Sequence, residues 1–193
     1  MTKHVFIVGP GSVGKSTAGK RLAGRSGYRF IDVDLAFCHE VMPIGDYIQA
    51  HGYVAYCREN AALVRRLLER SEAPTVFPLP SGFLVHEEAP EMARDNHQTL
   101  RANGTIILLL PSRDPHETVD LIVRRHLSRG YLETSPEKER ERFLARHPKY
   151  LAIDTDIRIF STEAPGKIAN EMYGELSRRS LVAGTASTGA PEA

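Results

Sequence analysis

Gly9-Pro10-Gly11-Ser12-Val13-Gly14-Lys15-Ser16-Thr17 fits G-x-x-x-x-G-K-[ST], the loop pattern whose backbone cradles phosphates. Its flanks suit it. His4-Val5-Phe6-Ile7-Val8 is short, apolar and β-branched, which predicts a buried strand. Residues 15–25 place Ala18, Leu22 and Ala23 on one side and basic residues elsewhere, which predicts a helix. In that order, strand, loop and helix, the loop N–H groups and the helix N-terminus converge on an anion. The pattern gives Lys15 the β- and γ-phosphates and the Ser16 hydroxyl a Mg2+ ion.

Phe30-Ile31-Asp32-Val33-Asp34 alternates and reads as a second strand ending in acid. On a strand, Asp32 and Asp34 would point to the same side. Ligands of parallel sheets bind beyond the carboxyl ends of the strands. One carboxylate there would serve Mg2+ and the other would accept a substrate hydroxyl; the plainer alternative is a pair of solvated turn aspartates.

Helices are expected over 43–50, 53–71, 87–101, from about 114, and over 137–146 and 165–181. In the second of these Leu63, Val64, Leu67 and Leu68 share one face, and Arg65, Arg66, Glu69 and Arg70 the other. Strands are expected over 75–82, 105–110 and 157–160. Pro78 and Pro80 make the first of these awkward inside a sheet. Asn103-Gly104 ends one helix and His147-Pro148 breaks another. Arg124-Arg125-His126-Leu127-Ser128-Arg129-Gly130-Tyr131 suits a mobile lid carrying arginines, or else a basic helix end facing its own dipole. The alternation predicts an α/β fold of three layers around about five parallel strands. Residues 1–182 form one domain with a lid at about 124–137, and 183–193 form a tail expected to be disordered.

The 193 residues suit one such domain, and a formal charge of +1 offers no field for nucleic acid or an anionic membrane. The longest apolar run, 105–110, is far short of a membrane span. The chain enters a strand at once, which leaves no room for a signal peptide. Cys38 and Cys57 lack metal-ligand spacing and read as reduced, half-buried thiols of a cytoplasmic protein, which is expected to be a monomer or weak homo-oligomer.

Together these motifs resemble the shikimate kinase family, phosphate-loop kinases akin to the nucleoside monophosphate kinases. The features are the glycine loop, Phe30-Ile31-Asp32-Val33-Asp34, Gly52 followed by Arg58, Arg129, and Arg146 with Tyr150. The resemblance implies ATP and Mg2+ as cofactors. It implies that Gly11, Ser12, Val13, Gly14, Lys15, Ser16 and Thr17 hold ATP phosphates, and that Ser16 and Asp32 serve Mg2+. Asp34 would orient the accepting hydroxyl, Arg58 and Arg146 would clamp a substrate carboxylate, and Arg129 with Lys15 would neutralise the moving phosphoryl group.

The sequence also departs from that family. Where a glycine triad is expected, Leu79-Pro80-Ser81-Gly82-Phe83 keeps only Gly82 for the substrate side. Cys57 replaces the aromatic residue before Arg58, and Gly130-Tyr131 replaces the Pro-Leu after the lid arginine. The nucleotide half is intact and the acceptor half altered, so the expected acceptor is a small hydroxylated, anionic molecule rather than shikimate in particular. A gluconate-type kinase and a non-catalytic ATP-binding regulator stay open. A GTPase switch does not, since the sequence has no Asn-Lys-x-Asp. Leu108-Leu109-Leu110 running into Pro111-Ser112 argues against a mechanical ATPase.

Overall fold

The structure is a computed structural model that describes residues 4–86, 89–128 and 135–179. Its strands are β1 (His4–Val8), β2 (Arg29–Phe30), β3 (Thr75–Pro78), β4 (Gly104–Leu110) and β5 (Ile157–Phe160). They pair in parallel in the order β2-β3-β1-β4-β5. The helices are α1 (Lys15–Ser26), α2 (Val33–Glu40), α3 (Ile44–His51), α4 (Tyr53–Glu69), α5 (Pro90–Asn103), α6 (Val119–Leu127), α7 (Pro136–Ala152) and α8 (Pro165–Arg178). This is the three-layer parallel α/β fold that the alternation predicts. Among the described residues no helix is long and apolar enough to cross a membrane.

The two-residue period of a strand sorts the core into two layers. Val5, Ile7, Ile107 and Leu109 face the cluster that contains Leu22 of α1, Ile122 of α6 and Met172 of α8. Phe6, Val8, Ile106 and Leu108 face the opposite cluster, with Phe37 of α2, Leu63 of α4 and Leu100 of α5. From β1 the chain moves to one side to build β2 and β3, then crosses to build β4 and β5. The strand order therefore reverses beside β1, which opens a crevice at the strand ends where the phosphate loop emerges.

Pro78 lies in an interior strand after all. Leu79 N–H donates to Ile7 O of β1, so odd positions of β3 face β1, while Ile31 N–H donates to Val76 O from the other side. The missing donor of Pro78 thus faces the side where β2 has already turned away.

Four expectations need correction. The second strand stops at Phe30; Asp32 caps α2, which Asp34 enters in its first turn, so the two acids are not neighbours on one strand face. The helix expected from about 114 begins as a 3-10 turn, Pro115–Glu117, and becomes α-helical only at Val119. His147-Pro148 does not break α7, because buried Phe143, His147 and Tyr150 hold the helix against the core on both sides of the proline. The two free thiols are not alike: Cys38 is exposed and Cys57 is buried.

Candidate active site

The phosphate loop leaves β1 through Gly9, whose φ is +147°. A Cβ there would lie 2.1 Å from Leu109 O, so the loop can press against β4 only with glycine at this position. Ser12 and Gly14 both adopt positive φ, 61° and 100°. Gly14 is the N-cap of α1 and no side chain caps that end, nor does the first turn carry an acid. The helix N-terminus therefore offers free N–H groups and its positive dipole end to an anion. Lys15 Nζ folds over the loop and donates to Gly9 O at 2.9 Å and Pro10 O at 2.7 Å. Ser16 and Thr17 are exposed beside it.

Asp32 is buried and its Oδ1 accepts from the N–H groups of Asp34 and Leu35 at 3.1 and 3.2 Å. Its Oδ2 takes no part in the cap. Asp34 is exposed, and it lies near enough to Tyr56 of α4 for its charge to help burial raise the pKa of that phenol.

The acceptor side is built from α4, α7 and the segment after β3. Tyr53, Tyr56, Cys57 and Asn60 share one face of α4 and line a small cavity with Gly82 and His86. A Cβ on Gly82 would come within 2.3 Å of Tyr53 Oη. Arg146 of α7 donates to the same Tyr53 Oη at 3.4 Å. Among the described residues Arg146 has no carboxylate partner. Tyr150, one turn further along, donates to Ser81 O. Arg142, one turn before, pairs with Glu139; burial and the like charge of Arg146 pull its pKa below the usual arginine range. Burial raises the Tyr53 pKa against the opposing effect of Arg146.

The structure thus gathers Asp34, Gly82 and Arg146 around the Tyr53–Tyr56 end of α4. Arg58 lies a quarter-turn from Cys57 around α4 and is exposed, off the cavity-lining face. Arg129 and the rest of 129–134 in the expected lid, like the tail, lie outside the described residues. In the described part of that lid, the His126 ring sits against the phosphate loop, with Nδ1 3.4 Å from Ser12 Oγ and Nε2 3.5 Å from Glu139 Oε2.

The sequence profile described as "Shikimate kinase" matches residues 11–177, most of the chain. The chain belongs to the shikimate kinase family. "Shikimate kinase 2" of Dickeya chrysanthemi is 30% identical over 110 residues, 56% of this chain and 58% of that protein. The protein of the same name from Yersinia pseudotuberculosis is 32% identical over 123 residues, 61% of this chain and 67% of that protein. The chain thus spans only about three-fifths to two-thirds of the length of these curated relatives. A shikimate kinase from Acinetobacter baumannii in complex with shikimate superposes with a TM-score of 0.75 at 20% identity, covering 94% of this chain and 96% of that one. A gluconokinase from Sinorhizobium meliloti superposes with a TM-score of 0.60 at 16% identity, over 92% and 93% of the two chains. At such identities the structural likeness shows the fold.

Relative to this family setting, sequence reading missed Tyr53, Asn60, His86, His126 and Arg142. Arg142 was within reach: Arg142, Arg146 and Tyr150 recur every four residues, which puts them on one helix face once Pro148 is known not to end the helix. His86 and His126 carry no local signal, since only the folding of distant segments brings them to the site.

Proposed function

We propose that this chain transfers the γ-phosphoryl group of ATP to a hydroxyl of shikimate or a closely related hydroxy acid. The observation that carries the proposal is an uncapped phosphate loop at the end of β1, next to the Gly82 segment that follows the adjoining β3, with Asp34 near Tyr56 and Arg146 held by Tyr53 Oη with no carboxylate partner among the described residues. Loop residues Gly11 to Thr17 hold the ATP phosphates through N–H groups and the helix end. Lys15 moves from the loop carbonyls to the phosphates and neutralises charge on the transferring group.

Mg2+ fits the donors present. It binds through one or two carboxylates plus substrate phosphates and keeps several waters, so it needs no cage of protein ligands. Ser16 Oγ and Asp32 Oδ2 would hold it, and when bound it would offset phosphate charge. Asp34 orients the attacking hydroxyl and takes its proton. Arg146, whose guanidinium faces a phenol rather than an acid, binds the acceptor carboxylate, with Arg58 joining from the flank and Gly82 leaving the acceptor room. Arg129 is assigned to the lid. Phosphoryl transfer needs little covalent help from the protein, so positioning and charge do most of the work. The two free cysteines support a reducing, cytoplasmic setting.

The test is a screen for acceptor-stimulated ADP release over hydroxylated carboxylic acids and sugars, shikimate included. Stimulation by shikimate or a near relative, lost by at least about a hundredfold in Lys15→Ala, supports the reading. Tight ATP binding with no acceptor-stimulated release overturns it in favour of a non-catalytic nucleotide sensor.

A further inference from the structure

Two residues that line the cavity between α4 and the segment after β3 each carry a buried polar atom with no partner among the described residues: Asn60 Oδ1 and His86 Nε2. Asn60 is 2% exposed and His86 9%. Unpartnered polar atoms this deep are costly, so each implies something that binds it. The cavity measures about 10 Å³, room for one group the size of a water or a hydroxyl.

Asn60 Oδ1 is an amide oxygen and can only accept. His86 Nδ1 lies 3.2 Å from Cys57 Sγ. Burial, with the positive charge of Arg146, pulls the His86 pKa below the usual histidine range and so favours the neutral ring. With the thiol as donor to Nδ1 the ring would carry its proton on Nε2 and that atom would be a donor. An acceptor and a donor on two residues that line one small space match a hydroxyl group, which gives one hydrogen bond and accepts another.

We propose that this cavity is a specificity subsite for a second hydroxyl of the phosphoryl acceptor, bound between Asn60 Oδ1 and His86 Nε2–H. It is separate from the hydroxyl that Asp34 orients, since Asp34 does not line the cavity. This inference rests on the kinase reading above and adds to it which part of the acceptor is read, and by what. It also gives Cys57 a purpose: the thiol stands where the family pattern has an aromatic residue and sets the histidine tautomer.

The experiment measures KM and kcat for shikimate and for analogues each lacking one hydroxyl, with thermal midpoint and calorimetric ATP affinity as controls. The proteins are wild type, Asn60→Leu, His86→Phe and His86→Gln. Asn60→Leu and His86→Phe should raise the shikimate KM by about 10- to 100-fold and leave the ATP affinity within about twofold. His86→Gln, which keeps an N–H donor, should recover much of the loss. One deoxy analogue should lose a similar factor on wild type and lose nothing further on Asn60→Leu. An unchanged shikimate KM with only a lowered thermal midpoint would mean that an internal water satisfies both atoms, and would overturn the subsite while leaving the kinase reading intact. If no variant folds, the analogue series on wild type decides alone: equal KM for all analogues overturns the subsite. A wild type that neither shikimate nor any related hydroxy acid stimulates overturns the kinase reading, and the subsite with it.

Discussion

Asp32 has one observed role and one proposed role, and a single substitution separates them. Its Oδ1 caps α2, and its Oδ2 is assigned to Mg2+. Asparagine caps a helix about as well as aspartate, whereas alanine loses about 1 kcal/mol. Asp32→Asn should therefore hold its stability by denaturant titration but bind Mg-ATP more weakly by calorimetry. Asp34→Asn should do the reverse of that in function: turnover lost, Mg-ATP affinity kept. Equal weakening of Mg-ATP by both would dissolve the division between the two acids. Gly82 offers a second separation. A methyl group there meets Tyr53 Oη at 2.3 Å, so the phenol must move into the space beside Arg146. Gly82→Ala should raise the acceptor KM by about 10-fold or more, since a displaced positioning group costs on the order of 1–3 kcal/mol, with the ATP KM unchanged. A changed ATP KM with an unchanged acceptor KM would remove Gly82 from the acceptor side. At this level the sequence was generous with the phosphate loop, because one continuous stretch carries all its parts. It was silent on Asn60 and His86, which lie 26 positions apart and meet only through folding.

α7 carries the basic face of the site through a proline that a sequence reader takes as a stop. An interior proline removes one helix hydrogen bond and crowds the preceding turn, at a cost of about 3 kcal/mol. Burial of Phe143, His147 and Tyr150 outweighs this, helped by the hydrogen bond between His147 Nε2 and Ser112 O at 3.0 Å. Pro148 itself is exposed. Pro148→Ala should thus raise stability by about 1–2 kcal/mol in denaturant unfolding, part of the gain being offset by a freer unfolded chain. A fall in stability would show that the proline shapes the helix rather than burdening it. α2 was lost for the opposite reason. The alternation of Phe30 to Asp34 looked like strand, but the Asp32 cap marks a helix start, and capping is a local signal that the alternation obscured.

Taken as one folding unit, the protein buries two histidines whose charged forms the fold disfavours. Burial lowers the pKa of His4, and burial with the charge of Arg146 lowers that of His86. The unfolded chain keeps values near about 6.5 and so binds more protons than the native state at and below that pH. Stability is fully present above about pH 6.5 and declines as pH falls through it. The thermal midpoint should be lower at pH 5.5 than at pH 7.5, and the gap should narrow in His4→Phe, which keeps an aromatic ring beside Phe77. Equal midpoints at the two pH values would show that these rings titrate freely in the fold. By itself the sequence determined the layer order, the parallel sheet and the phosphate-binding loop, because periodicity and a contiguous motif are properties of neighbouring residues. The tertiary structure alone decided where Pro78 is tolerated, that α7 runs through Pro148, and which side chains line the acceptor cavity. Those outcomes depend on which atoms from distant segments compete for the same buried space.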